Sequence, residues 1–305
     1  MAGSSRFGLI ARALRLPFMT ASVLPFIYGS LLSEYRFRPA VFVLGLGAVI
    51  CTHLYANLLN DYADSRSGLD WQDTRWFVFF GGSKVIQQGL LPERWFRTVA
   101  RGFGIAAVLC VAALAFVLRS PQVAGYFLAI GFLTRAYSAP PFKLSYRGMG
   151  EVAIFILFGP ALVMGGFFIQ TGVFPSIKSF LLALPFGFLT TAILFVNEIP
   201  DFPQDSKAGK KTWVSISGQS QAFIVYYALI GLAYLYILFN CLLGNAGVFS
   251  MSSLGMIPLA WQAGRIVKRH YQDKRLCMRA SQLTIIIQTA TSVVLLIDAW
   301  LKWRR

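Results

Sequence analysis

Residues 40–64 read Ala40-Val-Phe-Val-Leu-Gly-Leu-Gly-Ala-Val-Ile-Cys51-Thr-His53-Leu-Tyr-Ala-Asn57-Leu-Leu-Asn60-Asp61-Tyr-Ala-Asp64: an uncharged run from 40 to 60, then two carboxylates within one helical turn. About 20 predominantly apolar residues suffice for a helix to cross the hydrocarbon layer of a bilayer. Eight further stretches come close to that length, at about 17–33, 98–118, 121–137, 150–170, 177–197, 221–243, 247–267 and 281–300. Of 305 residues, 56% are hydrophobic and only 13% charged, and the mean hydropathy is +0.62. A single soluble core stops growing near roughly 250–300 residues, so the excess apolar surface must face lipid. The sequence therefore predicts an all-α, polytopic membrane protein with nine transmembrane helices around an apolar cavity, in one domain over 1–305. No long Gly/Ser or Pro linker divides the chain.

The net charge of +16 follows from topology rather than from nucleic-acid binding. With the N-terminus in the cytoplasm, that side carries 21 of the 28 Lys and Arg residues; the other side keeps Arg36, Arg38, Arg119, Lys178, Lys302, Arg304 and Arg305. The positive-inside rule then places the N-terminus inside and the C-terminus outside a cell (inner) membrane. The first segment follows Arg6, Arg12 and Arg15 without a small-residue cleavage site, and is expected to be a retained helix. Cys51, Cys110, Cys241 and Cys277 lie far apart with no CxxC spacing and read as apolar filler.

Twelve Asp and Glu residues are present, and seven of them (Asp61, Asp64, Asp70, Asp73, Glu198, Asp201 and Asp205) sit at the ends of two apolar helices. At 100° per residue, Asn57, Asp61 and Asp64 share one helical face within about 100°. The second cluster runs Asn197-Glu198-Ile-Pro200-Asp201-Phe-Pro203-Gln-Asp205-Ser-Lys207-Ala-Gly209-Lys210-Lys211-Thr212. In an unbroken helix Asn197, Asp201 and Asp205 span about 80°; Pro200 and Pro203 leave open whether the helix is broken there. Ionisable groups beside a membrane are functional candidates by default. Hard oxygen ligands without His or Cys suit Mg²⁺, which is held by a few carboxylates plus substrate phosphates. The interleaved bases Arg66, Arg75, Lys84, Lys207, Lys210 and Lys211 suit the phosphates. Seven acids and six bases nearly cancel, and two Mg²⁺ with a diphosphate of about −3 leave the assembled site near neutral. A diphosphate on an apolar tail is an isoprenyl diphosphate: metal and bases stabilise the leaving group, and aromatic faces shield the allylic cation.

These two clusters resemble the paired Asp-rich motifs of the UbiA superfamily of intramembrane prenyltransferases, over essentially the whole chain. Asn60-Asp61-x-x-Asp64 looks like the first motif and Asn197-x-x-x-Asp201-x-x-x-Asp205 like the second. The resemblance implies that Asn60, Asp61, Asp64, Asn197, Asp201 and Asp205 bind Mg²⁺-diphosphate, with the four aspartates as metal ligands. Gly68-x-Asp70, Asp205 to Thr212 and Tyr146-Arg147-Gly148-Met-Gly150-Glu151 are similar to the 1,4-dihydroxy-2-naphthoate prenyltransferases of menaquinone synthesis. That implies a polyprenyl diphosphate donor and an aromatic acceptor, with Asn57, Arg66, Asp70, Lys84, Arg147, Lys207 and Lys211 binding substrate. Gly68 stands where many members carry a third Asp, and Glu198 and Pro200 depart from the second motif.

Tyr137-Ser-Ala-Pro-Pro-Phe-Lys143 resembles the superfamily's Tyr-Pro-Lys region, which would set Tyr137 against the allylic cation and Lys143 against phosphate. Gly81-Gly82-Ser83-Lys84 lacks a Walker A pattern and reads as part of a lid over the diphosphate. His53 points along the same face as Asp64, about 12 Å deeper than Asp61, where packing and contact with the acceptor ring are both open. The rival class is a transporter, which would place its acids nearer mid-bilayer than at one face among Lys and Arg.

Overall fold

The computed structural model describes residues 6–33 and 37–303; Arg36, Arg304 and Arg305, which enter the charge count above, lie outside them. Every regular element among the described residues is helical, the only β pairing being one isolated bridge between Arg147 and Lys211. In chain order the α-helices are α1 (Arg6–Ala13), α2 (Thr20–Leu31), α3 (Pro39–Arg66), α4 (Glu93–Leu118), α5 (Pro121–Ser138), α6 (Gly150–Phe158), α7 (Pro160–Thr171), α8 (Ile177–Lys207), α9 (Trp213–Ser217), α10 (Ala222–Leu242), α11 (Ile257–His270) and α12 (Lys274–Trp303). Prolines open α3, α5 and α7, where their missing N–H is an orphan of the first turn anyway. Gly172 in the left-handed region ends α7.

The chain is a multi-pass membrane protein. By length and composition, six segments can cross a membrane: Pro39–Arg66, Glu93–Leu118, Gly150–Thr171, Ile177–Lys207, Gln219–Leu242 and Lys274–Lys302. Arg6–Ala13 with Leu16–Leu31, bent by 50°, makes a seventh if the pair is one span. Of the nine expected spans, 121–137 and 247–267 fall below this measure. The first is α5, only 18 residues long and carrying Arg135; the second is a 3-10 stretch, Val248–Met256, followed by α11 with its basic last turn. The expected helix at 150–170 is interrupted at Gly159-Pro160.

Helix α8 is the most enclosed of these spans and α4 the most exposed, with Ile105, Val108, Leu109 and Phe116 of α4 facing outward as lipid contact requires. Helices α10 and α12 pack on α8, α2 packs on α7, and α3 packs on α4. Phe186, Leu189, Phe195 and Ile199 of α8 form the core with Tyr226 and Ile230 of α10 and Ile287 of α12. Polar contacts tie α10 to α12, where Tyr226 meets Thr284 at 3.0 Å and Tyr234 meets Thr291 at 3.2 Å; such bonds help hold helices together where lipid supplies no hydrophobic drive. A side chain at Gly29 of α2 would collide with the Val163 backbone of α7, and one at Gly166 of α7 with the Phe26 carbonyl. The crossing therefore depends on both glycines.

The prolines of α8 do not break it: the helix runs through Pro185, Pro200 and Pro203 to Lys207. Each proline removes the N–H that would bond the carbonyl four residues back. Two of those carbonyls find side-chain donors: Asn240 Nδ2 donates to Leu181 O at 2.9 Å, and Gln219 Nε2 to Ile199 O at 2.7 Å. This replacement is how a membrane helix tolerates proline. It keeps Asn197, Asp201 and Asp205 on one continuous helix, resolving what the sequence left open. Gln219→Leu should therefore destabilise the protein by about 1–3 kcal/mol, read as a lower melting temperature in detergent, whereas the exposed Gln221→Leu should leave it unchanged; equal melting of both would show that the bond to Ile199 does not support α8.

Candidate active site

Between α2, α3, α5, α6, α7 and α8 lies a cavity of about 290 Å³. Its inner wall is apolar, with Phe26, Val49, Phe158, Leu162 and Ile193 among its residues; at its mouth stand Asp64, Asp70, Asp73, Asp201, Asp205 and the bases Arg15, Arg75, Lys84, Lys210 and Lys274. The two acidic clusters, more than 120 residues apart in sequence, thus meet at one opening.

The first cluster ends α3 and continues into a 3-10 turn, Leu69–Trp71. Asp61, only 2% exposed, is ion-paired to Arg15 and accepts the Ser83 N–H at 3.3 Å. It is not among the residues that line the cavity, its carboxylate being held by Arg15 and the Ser83 N–H. Asp64 accepts a hydrogen bond from Tyr146 Oη at 2.8 Å, and its charge together with burial raises the Tyr146 hydroxyl above its ordinary range, burial being the larger cause. Asp70 is pushed up to about 7 by burial and by Asp64, against the pull of Lys84. Lys84 Nζ donates to the Asp70 carboxylate at 2.7 Å and to its carbonyl at 3.1 Å. Lys84 also holds a left-handed backbone (φ 56°) that non-glycine residues seldom adopt. Asp73 accepts two bonds from the Arg75 guanidinium and one from Lys274, all at 2.9 Å, and the Arg75 backbone N–H at 3.1 Å; these hold it well below the usual carboxylate range, the Arg75 side-chain bonds contributing most.

The glycine-rich segment joins the two clusters. Gly81 N–H donates to Asp201 Oδ2 at 2.9 Å, while Ser83 N–H serves Asp61. Gly82, at φ 78°, leaves no space for a side chain, since a Cβ would stand 2.9 Å from Asp70 Oδ2. Past the end of α8, Gly209 (φ 69°) reverses the chain and returns Lys210 to Asp205, Nζ to Oδ2 at 3.1 Å. Burial alone would lower the Lys210 ammonium, but Asp205, Asp64 and Glu198 outweigh it and hold it well above its ordinary value.

Of the other expected site residues, Asn57, Asn60, Tyr137, Asn197 and His53 line the cavity. Asn57 donates to Leu14 O at 3.0 Å and Asn60 to Ser138 Oγ at 3.2 Å, while Asn197 Oδ1 has no partner. His53 Nδ1 meets Ser22 Oγ at 2.9 Å, and its ring stands edge-on to Phe158. Arg66, Lys143, Arg147, Lys207 and Lys211 do not line it. Arg66, Lys207 and Lys211 are exposed; Lys143 lies over the Tyr146 ring at 5.1 Å; Arg147 donates to Pro141 O at 3.0 Å. The main chain of Lys211 is tied to Tyr146 and Gly148, so the turn presents Lys210 rather than either neighbour. Arg15, Tyr146 and Lys274 were missed as site residues. Arg15 and Lys274 come from α1's end and α12's start, and no local spacing links them to the acids; Tyr146 was legible only as part of a motif.

Among the described residues no three His, Cys, Asp or Glu side chains gather closely enough to hold a metal ion by themselves. The arrangement is a ring of paired carboxylates and bases over an apolar chamber, chemically suited to a charged head on an apolar tail.

The sequence profile of the UbiA prenyltransferase family matches residues 22–286, and the chain belongs to that family. It is accordingly an enzyme, a prenyltransferase. It is 28% identical over 250 residues to the 1,4-dihydroxy-2-naphthoate octaprenyltransferase of Bacillus subtilis, covering 80% of this chain and 77% of that one. Its fold is similar to that of a UbiA homologue from Aeropyrum pernix K1, with a TM-score of 0.71 at 16% identity over 92% of this chain and 97% of that one. It is also similar to a UbiA homologue from Archaeoglobus fulgidus solved bound to DMAPP and Mg²⁺, with a TM-score of 0.64 at 16% identity over 94% and 98% of the two chains.

The lysine geometry makes a sharp expectation. Lys210→Ala should slow prenyl transfer on the order of 10- to 100-fold, whereas Lys207→Ala and Lys211→Ala should stay within about twofold of wild type. Initial rates with purified variants check this, and a Lys211→Ala loss equal to that of Lys210→Ala would contradict the assigned turn.

Proposed function

We propose that this chain transfers a prenyl group from a polyprenyl diphosphate to an aromatic acceptor, 1,4-dihydroxy-2-naphthoate, in menaquinone synthesis, and that it does so with Mg²⁺. The observation that carries this reading is the convergence of both acidic clusters and five bases on the mouth of one apolar cavity. The likeness to the Bacillus naphthoate octaprenyltransferase supports the choice of acceptor. We take residues 1–305 as one domain with nine spans, counting α5 and the 248–270 segment, with the N-terminus cytoplasmic and the C-terminus outside the inner membrane.

The donor set at the mouth fits Mg²⁺. It is all hard oxygen and includes the unpartnered Asn197 Oδ1, which suits an ion that shares its shell with substrate phosphates. Asp61, Asp64, Asp201 and Asp205 would hold it, Asp61 by giving up Arg15. Bound there, Mg²⁺ would neutralise charge developing on the departing diphosphate. Arg15, Lys84 and Lys210 exchange a carboxylate partner for a phosphate, which orients the diphosphate at the mouth and leaves its tail in the apolar chamber. The allylic carbon–oxygen bond breaks with its electron pair leaving on the diphosphate. Tyr137, on the cavity wall, faces the resulting cation; the ring carbon that bears the acceptor's carboxylate forms the new bond, and its bond to that carboxylate breaks with loss of CO₂, the electron pair returning to the ring.

Incubating the purified protein with radiolabelled polyprenyl diphosphates, Mg²⁺ and a panel of aromatic acceptors tests the reaction. Asp61→Ala, Asp64→Ala and Asp201→Ala should each lower the rate on the order of 10² to 10³-fold, and EDTA should abolish it; full turnover in EDTA would sink the metal assignment. A knockout that keeps its menaquinone, in a cell with no second such enzyme, would reject the naphthoate acceptor while leaving prenyl transfer intact.

The orientation has its own check. Ser67→Cys and Ser217→Cys should resist a membrane-impermeant thiol reagent in intact cells and react once the membrane is opened. Labelling in intact cells would reverse the topology.

A further inference from the structure

A chamber of fixed depth that holds an apolar tail also measures it, because a longer tail must either displace packed side chains or leave part of itself outside. On α3 the cavity wall runs from Asp64 at the mouth to Ala48, and on α8 from Asp205 to Thr190. At 1.5 Å per residue these stretches are about 24 and 22 Å long. Two helices on different sides of the chamber thus give it the same depth.

Phe26 of α2 ends it. Ser22 Oγ meets His53 Nδ1 of α3 at 2.9 Å, and one turn further along α2 the Phe26 ring reaches Gly45, two turns deeper on α3 than His53. A Cβ on Gly45 would stand 2.6 Å from Phe26 Cζ and 2.5 Å from Ile169 Cδ1. The two helices therefore run antiparallel, with Phe26 the innermost α2 residue on the cavity wall. Gly45, one turn below Ala48 and Val49, is no longer on that wall, because the ring covers it. Phe26 is 1% exposed and stacks on Phe42 with centroids 5.9 Å apart, and its carbonyl abuts Gly166 of α7. It belongs at once to the cavity wall and to the core it forms with Val41, Phe168 and Ile169, none of which lines the cavity. The ring is the boundary between open chamber and packed interior.

With carbon–carbon bonds near 1.5 Å, the four chain bonds of an extended isoprene unit advance it roughly 5 Å. The diphosphate occupies the outermost helical turn beside the acids, about 5 Å, and the depth that remains takes three to four units. Resting on the function proposed above, we infer that Phe26 is the floor of the prenyl chamber and limits the donor to about four isoprene units, making geranylgeranyl diphosphate the longest that fits. The fourth unit ends against the Phe26 ring, and a longer chain meets the core behind it.

The test is kcat/KM of the full chain in nanodiscs, with Mg²⁺ and 1,4-dihydroxy-2-naphthoate, for geranyl, farnesyl, geranylgeranyl and octaprenyl diphosphates. Wild type should rise to geranylgeranyl diphosphate and fall on the order of 10- to 100-fold for octaprenyl diphosphate. Phe26→Ala should recover most of that loss while the value for geranyl diphosphate stays within about twofold. Thr52→Phe should act in the opposite sense. Thr52 is on the cavity wall and only half-buried, about 6 Å above Ala48, so a ring there should move the optimum to farnesyl diphosphate and leave geranyl diphosphate unchanged. Should Phe26→Ala not elute as a monodisperse protein, the wild-type profile and Thr52→Phe decide in its place. Octaprenyl diphosphate used by wild type as well as geranylgeranyl diphosphate, or a profile that neither variant moves, would overturn the floor. Wild-type protein that transfers no prenyl group from any of the four donors would instead overturn the proposed function.

Discussion

Carboxylates can be tolerated at the ends of apolar helices only where something meets their charge, and the packing around the mouth of this protein follows from that demand. Asp61 takes Arg15, Asp70 takes Lys84, Asp73 takes Arg75 and Lys274, Asp205 takes Lys210, and Asp201 takes a backbone N–H from Gly81. These pairings draw the end of α1, the loop after α3, the turn after α8 and the start of α12 to one place. Partners that satisfy a buried carboxylate by charge are also partners that a phosphate can claim, so the same network that permits the acids to be buried is suited to release its bases to a substrate head.

Below the mouth the demand is reversed, and the chamber is closed by aromatic and branched side chains. Helix α8 serves both halves. Its middle supplies Phe186, Leu189 and Phe195 to the core, and its last turns supply the acids. It can be straight enough to do so because Asn240 and Gln219 restore hydrogen bonds that its prolines remove. A single segment from elsewhere in the chain, Gln219–Leu242, therefore supports α8 near both ends, with Gln219 at the acidic one.

Much of the candidate site was legible because charge is rare in an apolar chain. Asp61, Asp64, Asp70, Asp201 and Asp205 stand out against their helices by contrast alone, and helical spacing places each cluster on a face. The basic partners were less legible. Arg66, Lys207 and Lys211 have the right charge and the right neighbourhood, yet the turn at Gly209 presents Lys210, and Arg66 points to solvent. Lys274 lies 201 residues from Asp73, and nothing local in either segment announces the pair.

By itself the sequence determined that the chain lives in a membrane as helices, because hydrophobic length and the requirement to satisfy the backbone internally leave no other arrangement. It also singled out the acids as candidates, since an acid costs too much at an apolar helix end to be incidental. Only the tertiary structure decided that the two clusters share one opening, that α8 continues through Pro200 and Pro203, and that Asp61 is turned to Arg15 rather than to the cavity. Those outcomes depend on contacts between residues tens to hundreds of positions apart, such as Gln219 with Ile199 or Lys274 with Asp73, and local periodicity carries no information about which distant partner a side chain meets.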